Sequence, residues 1–287
     1  MSKKKFILNA DDFGMSNAFN KAVLEAYHKG FLKSASICAN GSAFEAAVNE
    51  IIPECPNLGI GVHLNIIEGQ SLQDFTQAKS LTNPSSNFNN NYIKLIYLSE
   101  NDWFLEQVER EFRLQIEKVL NFTPLTHLDS HVHTHAIPKI FDLVCKLAEE
   151  YGISQVRTQF EEPYIVPNFK KHLNIKYPPN ILKVLLLNYF TLKNKIKIEN
   201  HDLNTNDFLI GVGYTGMMDE ETIYQGLCAI EEEKAIVECL IHPCNFDGAT
   251  LKDSNYKEFM ITQNMDLKDK IQRLGFEICN YKNTDER

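Results

Sequence analysis

Phe6-Ile-Leu-Asn-Ala-Asp-Asp-Phe-Gly14 runs as a short apolar stretch that ends on two consecutive carboxylates. Its first half, 6–10, has the length and composition of a buried strand, and 18–28 behind it carries apolar residues at helical spacing. The same alternation recurs along the chain. Strands are expected at 34–39, 58–64, 124–129, 154–157, 208–212, 235–241 and 276–279, with helices at 43–52, 104–120 and 138–151 and others beginning near Asp219 and Ser254. Leu105, Val108, Phe112, Ile116 and Val119 form one apolar stripe, and Pro138 suits a first helical turn. About eight strands interleaved with helices predict an α/β fold with a parallel sheet and favour a (β/α) barrel.

Two stretches break this rhythm. The polar segment 69–101 has five asparagines between Asn83 and Asn91 and reads as a long loop over one face. The second, about 160–206, contains a lysine-bearing apolar run over 172–200 and reads as an inserted flap or subdomain. Neither marks a domain boundary, so one domain over 1–287 is expected.

The 287 residues include 29 Lys and Arg against 38 Asp and Glu, a net charge of −9. That field opposes general binding to nucleic acid or to an anionic membrane. The run 181–192 is broken by Lys183 and Asn188 and is too short to span a bilayer. Three apolar residues between Lys5 and Asn9 do not make a signal-peptide core. Seven scattered cysteines without a Cys-x-x-Cys pair argue against a disulfide framework or a structural zinc site. A cytoplasmic protein is expected, with a homodimer left open.

Polar residues gather where the expected strands end. Asp11 and Asp12 follow the first, His63 ends the third, the run Asp129-Ser-His-Val-His-Thr-His135 follows the fourth, and His242 ends the strand over 235–241. In a β/α barrel these ends converge on one rim, where active sites are built. Two imidazoles and a carboxylate from separate strands would hold one catalytic divalent ion with a position left for water. Adjacent strand residues face opposite sides, so one member of the Asp11–Asp12 pair is expected inward and the other in the loop, in either order.

The segments Leu8-Asn-Ala-Asp-Asp-Phe-Gly-Met-Ser16, Gly61-Val-His63, Thr126-His-Leu-Asp-Ser-His-Val-His133 and Ile241-His-Pro243 together resemble the YdjC-like carbohydrate deacetylases, the family of the chitooligosaccharide deacetylases. That resemblance implies a distorted (β/α) barrel of the glycoside hydrolase/deacetylase type. It implies that Asp12, His63 and His131 hold the metal and that Asp11 is the general base. Magnesium is the family's usual association, whereas a His₂Asp donor set suits zinc. The implied substrate is a small acetamido sugar, whose amide needs an activated water and a polarised acetyl oxygen. His242 is the candidate acid for the departing amine, and Arg157 a candidate to orient Asp11. His127, expected on the same strand face as Asp129, and Asp129 itself are candidates to support a metal-bound imidazole. His133 and His135 are weighed as substrate contacts or plain loop residues.

Gly211-Val-Gly-Tyr-Thr-Gly216 fits G-x-G-x-x-G, but a lone match late in the chain is weak support for dinucleotide binding. Glycines that bring backbone to the rim, with Tyr214 free to stack on a sugar, fit better. Cys244 reads as a small apolar thiol rather than a nucleophile. Two rival functions remain: another metal-dependent barrel hydrolase, such as an amidohydrolase or phosphoesterase, and a non-enzymatic sugar-binding protein.

Overall fold

The computed structural model describes residues 4–167, 169–173 and 175–284. From the N-terminus, β1 (Lys4–Phe13), α1 (Asn17–Lys29), β2 (Ser34–Ile37) and a short helical stretch beginning with α2 (Phe44–Ala46) lead to β3 (Gly59–Leu64). Helices α3 (Tyr92–Leu98) and α4 (Asp102–Leu120) precede β4 (Leu128–Ser130) and α5 (Pro138–Glu150). The long α6 (Tyr177–Asn200) is followed by β5 (Phe208–Ile210), α7 (Glu220–Cys228) and β6 (Ile236–Ile241). The chain continues through α8 (Ser254–Thr262), α9 (Met265–Arg273) and β7 (Phe276–Ile278).

Every strand pairing is parallel, in the order β4-β3-β2-β1-β6-β5. β7 pairs with the first residues of β1, below the point where β2 takes over the same edge. Parallel strands buried on both faces need apolar residues throughout, and β2, β3 and β6 are buried at every position. Each fully buried Val, Leu, Ile or Phe contributes roughly 1.5–3 kcal/mol, which makes this sheet the main source of stability.

The sheet curls into a distorted (β/α) barrel. The strand expected at 154–157 is replaced by isolated bridges that, continued to residue 160, close the ring. Val156 pairs with Leu128 of β4, Gln155 pairs with Asn204, and the Leu209 amide donates to the Phe160 carbonyl. The irregularity has a local cause. Asn206 uses its side-chain amide as a false strand partner: its Oδ1 accepts from the Thr158 amide at 2.7 Å, and its Nδ2 donates to the Thr158 carbonyl at 3.0 Å.

Along β1 the side chains alternate between two surroundings, as a period of two requires. Phe6, Leu8 and Ala10 join the main core, while Asn9 and Asp11 share a hydrogen bond and turn toward the polar interior of the barrel. Over the rim, the asparagine-rich loop is tied to α4 by buried Glu111, which accepts from Ser71 Oγ at 2.6 Å and the Leu72 amide at 3.0 Å. The second irregular stretch carries α6, whose Val184, Leu187 and Phe190 turn inward. Among the described residues, no helix is long and apolar enough to cross a membrane.

Candidate metal and catalytic site

The C-terminal ends of β1, β3 and β4 meet at one rim, and the first of them departs from strand geometry. The β1–β2 register shifts between Ala10 and Phe13, and Asp12 takes φ of 64°. A non-glycine residue in the left-handed region is strained and persists only where its surroundings hold it. Here the bulge brings both carboxylates of the pair beside His63, each in its own cluster. The expectation that one of them would turn away into the loop is therefore corrected.

Asp12, His63 and His131 offer ligand atoms that all lie within 4.8 Å of one another. Asp12 Oδ1 is 3.0 Å from His131 Nδ1 and 3.6 Å from His63 Nε2. The other nitrogen of His63, Nδ1, is 2.8 Å from Asp129 Oδ1. A carboxylate on Nδ1 fixes the imidazole's orientation and leaves Nε2 to bind, the arrangement that commonly supports a metal-bound histidine. Two imidazoles and a carboxylate make a donor set suited to a divalent ion. A second, deeper group of Asp11, His63 and Asp129 also exists. Its atoms are already engaged by one another and by Arg157, so the outer set fits a metal better.

Beneath the rim lies a buried charge network centred on Arg157. Its Nη1 and Nη2 donate to the two carboxylate oxygens of Asp11 at 2.8 and 2.7 Å. Nη2 also meets Asp129 Oδ2 at 2.6 Å, and Nε donates to Glu238 Oε2 at 2.9 Å. Burial alone would raise the Asp11 pKa, but the Arg157 guanidinium outweighs it and holds Asp11 well below the usual carboxylate range. Glu238 goes the other way: burial pushes it up to about 7 despite the same arginine. Ser36 Oγ joins His127 Nε2, at 2.9 Å, to Asp129 Oδ2, to which it donates at 2.6 Å. His127 and Asp129 thus share a face, and burial pulls the His127 pKa down to about 4.

His242, just past β6, interacts electrostatically with both Asp11 and Asp12 and is partly exposed. Its backbone amide donates to Glu258 Oε2, and its Nδ1 is 3.4 Å from the same oxygen. Burial lowers the His242 pKa, but Glu258, together with Asp12 and Asp11, more than offsets this and brings it to about 9. His242 therefore favours its protonated form at neutral pH.

Other expected residues lie elsewhere. His133 and Val132 both have positive φ, which turns the chain sharply after His131. His133 is buried, and burial, helped by Lys183 and Arg157, pushes its pKa well below 6.5. His135 is fully buried, its Nε2 2.9 Å from the Arg157 carbonyl, so it does not reach a substrate. Tyr214 is also corrected. Its ring packs among Tyr164, Tyr177 and His172 and its hydroxyl donates to the Tyr164 carbonyl, which leaves it only 2% exposed and unable to stack on a sugar. The Gly-rich turn holds no dinucleotide phosphate: the amides of Gly211, Val212 and Gly213 donate to the protein's own Glu161.

Several supporting residues escaped the sequence reading. Glu238 had a readable signal, a lone charge in the middle of Ile236-Val-Glu-Cys-Leu-Ile241, as did Asn9, a polar residue two before Asp11. Glu258 and Glu161 had none, because distant folding alone brings them to His242 and the Gly-rich turn.

Fold and cluster together define a β/α-barrel protein with a carboxylate–imidazole centre at its strand C-termini. The family model for YdjC-like proteins matches residues 5–273, and the chain belongs to that family. It is similar to a carbohydrate deacetylase of Brevibacillus brevis, at 31% identity over 90% of this chain and 89% of that protein. Carbohydrate deacetylase 1 of Listeria innocua is 41% identical over 52% of this chain and 59% of its own length. A crystal structure of an Enterococcus faecalis protein shares the fold, with a TM-score of 0.74 and 24% identity over 98% of both chains.

Proposed function

We propose that this chain is a metal-dependent deacetylase that removes the acetyl group from a small acetamido sugar of the chitobiose type. The observation that carries the reading is the convergence of three unlike elements on one rim. Asp12, His63 and His131 form a divalent-ion donor set, Asp11 is kept ionised by Arg157, and His242 is kept protonated by Glu258. The carbohydrate comes from the relatives that bear that name.

Amide hydrolysis requires the water oxygen to bond to the acetyl carbon and the C–N bond to break, leaving acetate and a free amine. A divalent ion held by Asp12, His63 and His131 would lower the pKa of water and polarise the acetyl oxygen. Asp11 takes the proton of the attacking water, a contribution on the order of 10²–10⁴-fold when well placed. Both of its oxygens are engaged by Arg157, so its position is set before substrate arrives. His242 gives its proton to the departing sugar amine. Asp129 holds His63 through Nδ1, and Ser36 and His127 hold Asp129.

Acetate release from N,N′-diacetylchitobiose and N-acetylglucosamine, with and without chelator, tests this for the wild type and His131→Ala. The expected result is acetate that requires metal and falls by at least about 10³-fold in the variant, as loss of several kcal/mol of metal assistance implies. Turnover of p-nitrophenyl phosphate or a cyclic amide, with no acetate from any acetamido sugar, would transfer the site to another hydrolase. Metal-dependent sugar binding without turnover would make it a binding protein. Metal analysis of the purified chain distinguishes zinc from magnesium.

A further inference from the structure

Lys183 and Asn188 interrupt the apolar run of α6, and both turn toward the mouth of the barrel. Three asparagines pin the helix there. Asn180 Nδ2 donates to the Thr215 carbonyl at 3.1 Å, Asn188 Nδ2 to the Glu161 carbonyl at 2.9 Å and Asn194 Nδ2 to the Ala136 carbonyl at 2.8 Å. The helix is thereby fixed from the Gly-rich turn to the turn that follows His131. Positions 180, 183, 187, 190 and 194 follow one another at three- and four-residue steps and share a face. Leu187, Phe190 and Asn194 on that face are buried, and Lys183 is its charged member.

A lysine on an inward face normally runs its stem along apolar surface and returns its ammonium to water. Lys183 is instead only partly exposed, and its ammonium interacts electrostatically with Glu161 and Asp11. Burial outweighs both carboxylates and pulls its pKa below the usual lysine range. Both carboxylates are already committed, Glu161 to three backbone amides and Asp11 to Arg157. Among the described residues, Lys183 Nζ has neither a hydrogen bond nor an ion pair. His133 Nδ1 is buried and likewise has no hydrogen-bond partner among them. After burial itself, Lys183 is the largest influence on that imidazole. A charge drawn inward costs stability unless something pairs with it. No described residue does, so the donors of Lys183 are left for a ligand.

We propose that Lys183 is a substrate-binding residue, whose ammonium donates to hydroxyl or acetamido oxygens of the sugar while the amide reacts at the metal centre. The inference rests on the sugar deacetylase reading above and adds the element that recognises the sugar. Asp11 ties the two together: in that reading it adjoins the reacting amide, and it interacts with Lys183. The ammonium offers three donors, and a sugar presents neutral oxygens on several sides of its ring. Such a contact is made to substrate and transition state alike, so it governs KM rather than kcat.

Lys183→Met keeps the apolar stem and removes the ammonium. With N,N′-diacetylchitobiose, KM should rise roughly 10–100-fold, as loss of a hydrogen bond to a charged group implies, with kcat within a few-fold of wild type. Lys195→Met removes the same charge from an exposed position of α6 and should leave KM unchanged. Urea unfolding separates a structural role. The midpoint of Lys183→Met should equal or exceed that of the wild type, because methionine beside Val184 and Leu187 has no charge to bury. An unchanged KM, or a rise matched by Lys195→Met, overturns the inference. A lowered midpoint together with a collapse of kcat assigns Lys183 to structure and overturns it too. Calorimetric titration of the same disaccharide into both chains covers the case in which no acetate is released. Sugar that binds the wild type, and binds Lys183→Met at least about 10-fold more weakly, then sustains Lys183 as a sugar contact although the deacetylase reading fails. Acetate release with equal KM in both chains keeps the deacetylase and removes Lys183 from its sugar site. A sugar that neither chain binds or deacetylates overturns both.

Discussion

Two clusters at the mouth of the barrel use similar groups to opposite ends. In the Gly-rich turn, three backbone amides converge on a carboxylate supplied by the chain itself, Glu161. Donors and acceptor match, and nothing further is required of a ligand. At the β1, β3 and β4 ends, Asp12, His63 and His131 bring three lone-pair donors within 4.8 Å. Such a set holds together only with positive charge among its members, from imidazole protons or a metal ion. The contrast teaches that residue types alone do not mark a site. A nucleotide-like glycine pattern is closed by an internal partner, while an ordinary strand-end aspartate is left facing two histidines.

Asp11→Asn tests the comparison most severely after loss of a metal ligand. Asn keeps the shape of Asp11 and removes the proton acceptor of the proposed mechanism, so kcat should fall by about 10²–10⁴-fold. Metal content should be retained, because Asp11 lies outside the outer donor set. A variant that loses metal and activity together would place the working ligand in the deeper group instead. Asp129→Asn comes next. It weakens the Nδ1 anchor of His63 rather than a ligand itself, and the expected cost is roughly 10–100-fold in metal affinity or activity. Titration with metal should restore much of the activity of this variant but not that of Asp11→Asn.

How legible this was depends on how local each cause is. The strands were readable because burial on both faces leaves runs such as Ile236–Ile241 almost wholly apolar, and the rim residues because each directly follows such a run. What lay beyond reach depended on geometry that no pattern encodes. The bulge at Ala10 to Phe13, which turns both Asp11 and Asp12 toward the site, breaks the very alternation that the reading relied on. The strand expected at 154–157 is thinned to bridges because a side chain 48 residues beyond Thr158, that of Asn206, takes over the pairing of Thr158. Tyr214 looked available beside its glycines, yet three aromatic neighbours distant in sequence enclose it.

Glu258→Gln sharpens the distinction between acid and base at the rim. Glu258, helped by Asp12 and Asp11, raises the His242 pKa to about 9, above the 6.5 of a free imidazole. The protonated form that gives up its proton is therefore full below that value and lost as pH rises through it. In the variant, the alkaline limb of kcat/KM should move to lower pH, with little change where both enzymes are protonated. An alkaline limb that stays in place would assign the proton donor to another group. The same sign holds for stability: the His242–Glu258 pair contributes fully below 6.5 and progressively less as pH climbs through about 9.

The smallest effect on turnover is expected from Glu161→Gln, which probes the self-satisfied cluster. Burial raises the Glu161 pKa from 4.5 to about 7 against the three amides that favour its charged form. A carboxyl whose folded pKa is raised supports the native state fully below its unfolded pKa and progressively less as pH rises toward and past the folded one. Gln cannot ionise, so the stability difference between wild type and variant should change by up to roughly 3 kcal/mol between pH 4 and pH 8, with the wild type losing ground as pH rises. Comparing the two chains cancels the titration of every other group, so urea unfolding at the two pH values isolates this one. A wild type that instead gains ground as pH rises from 4 would mean that the amides of the Gly-rich turn hold Glu161 ionised throughout. The turn would then be a true anion cradle filled from within, and its likeness to a phosphate-binding loop would have a physical basis.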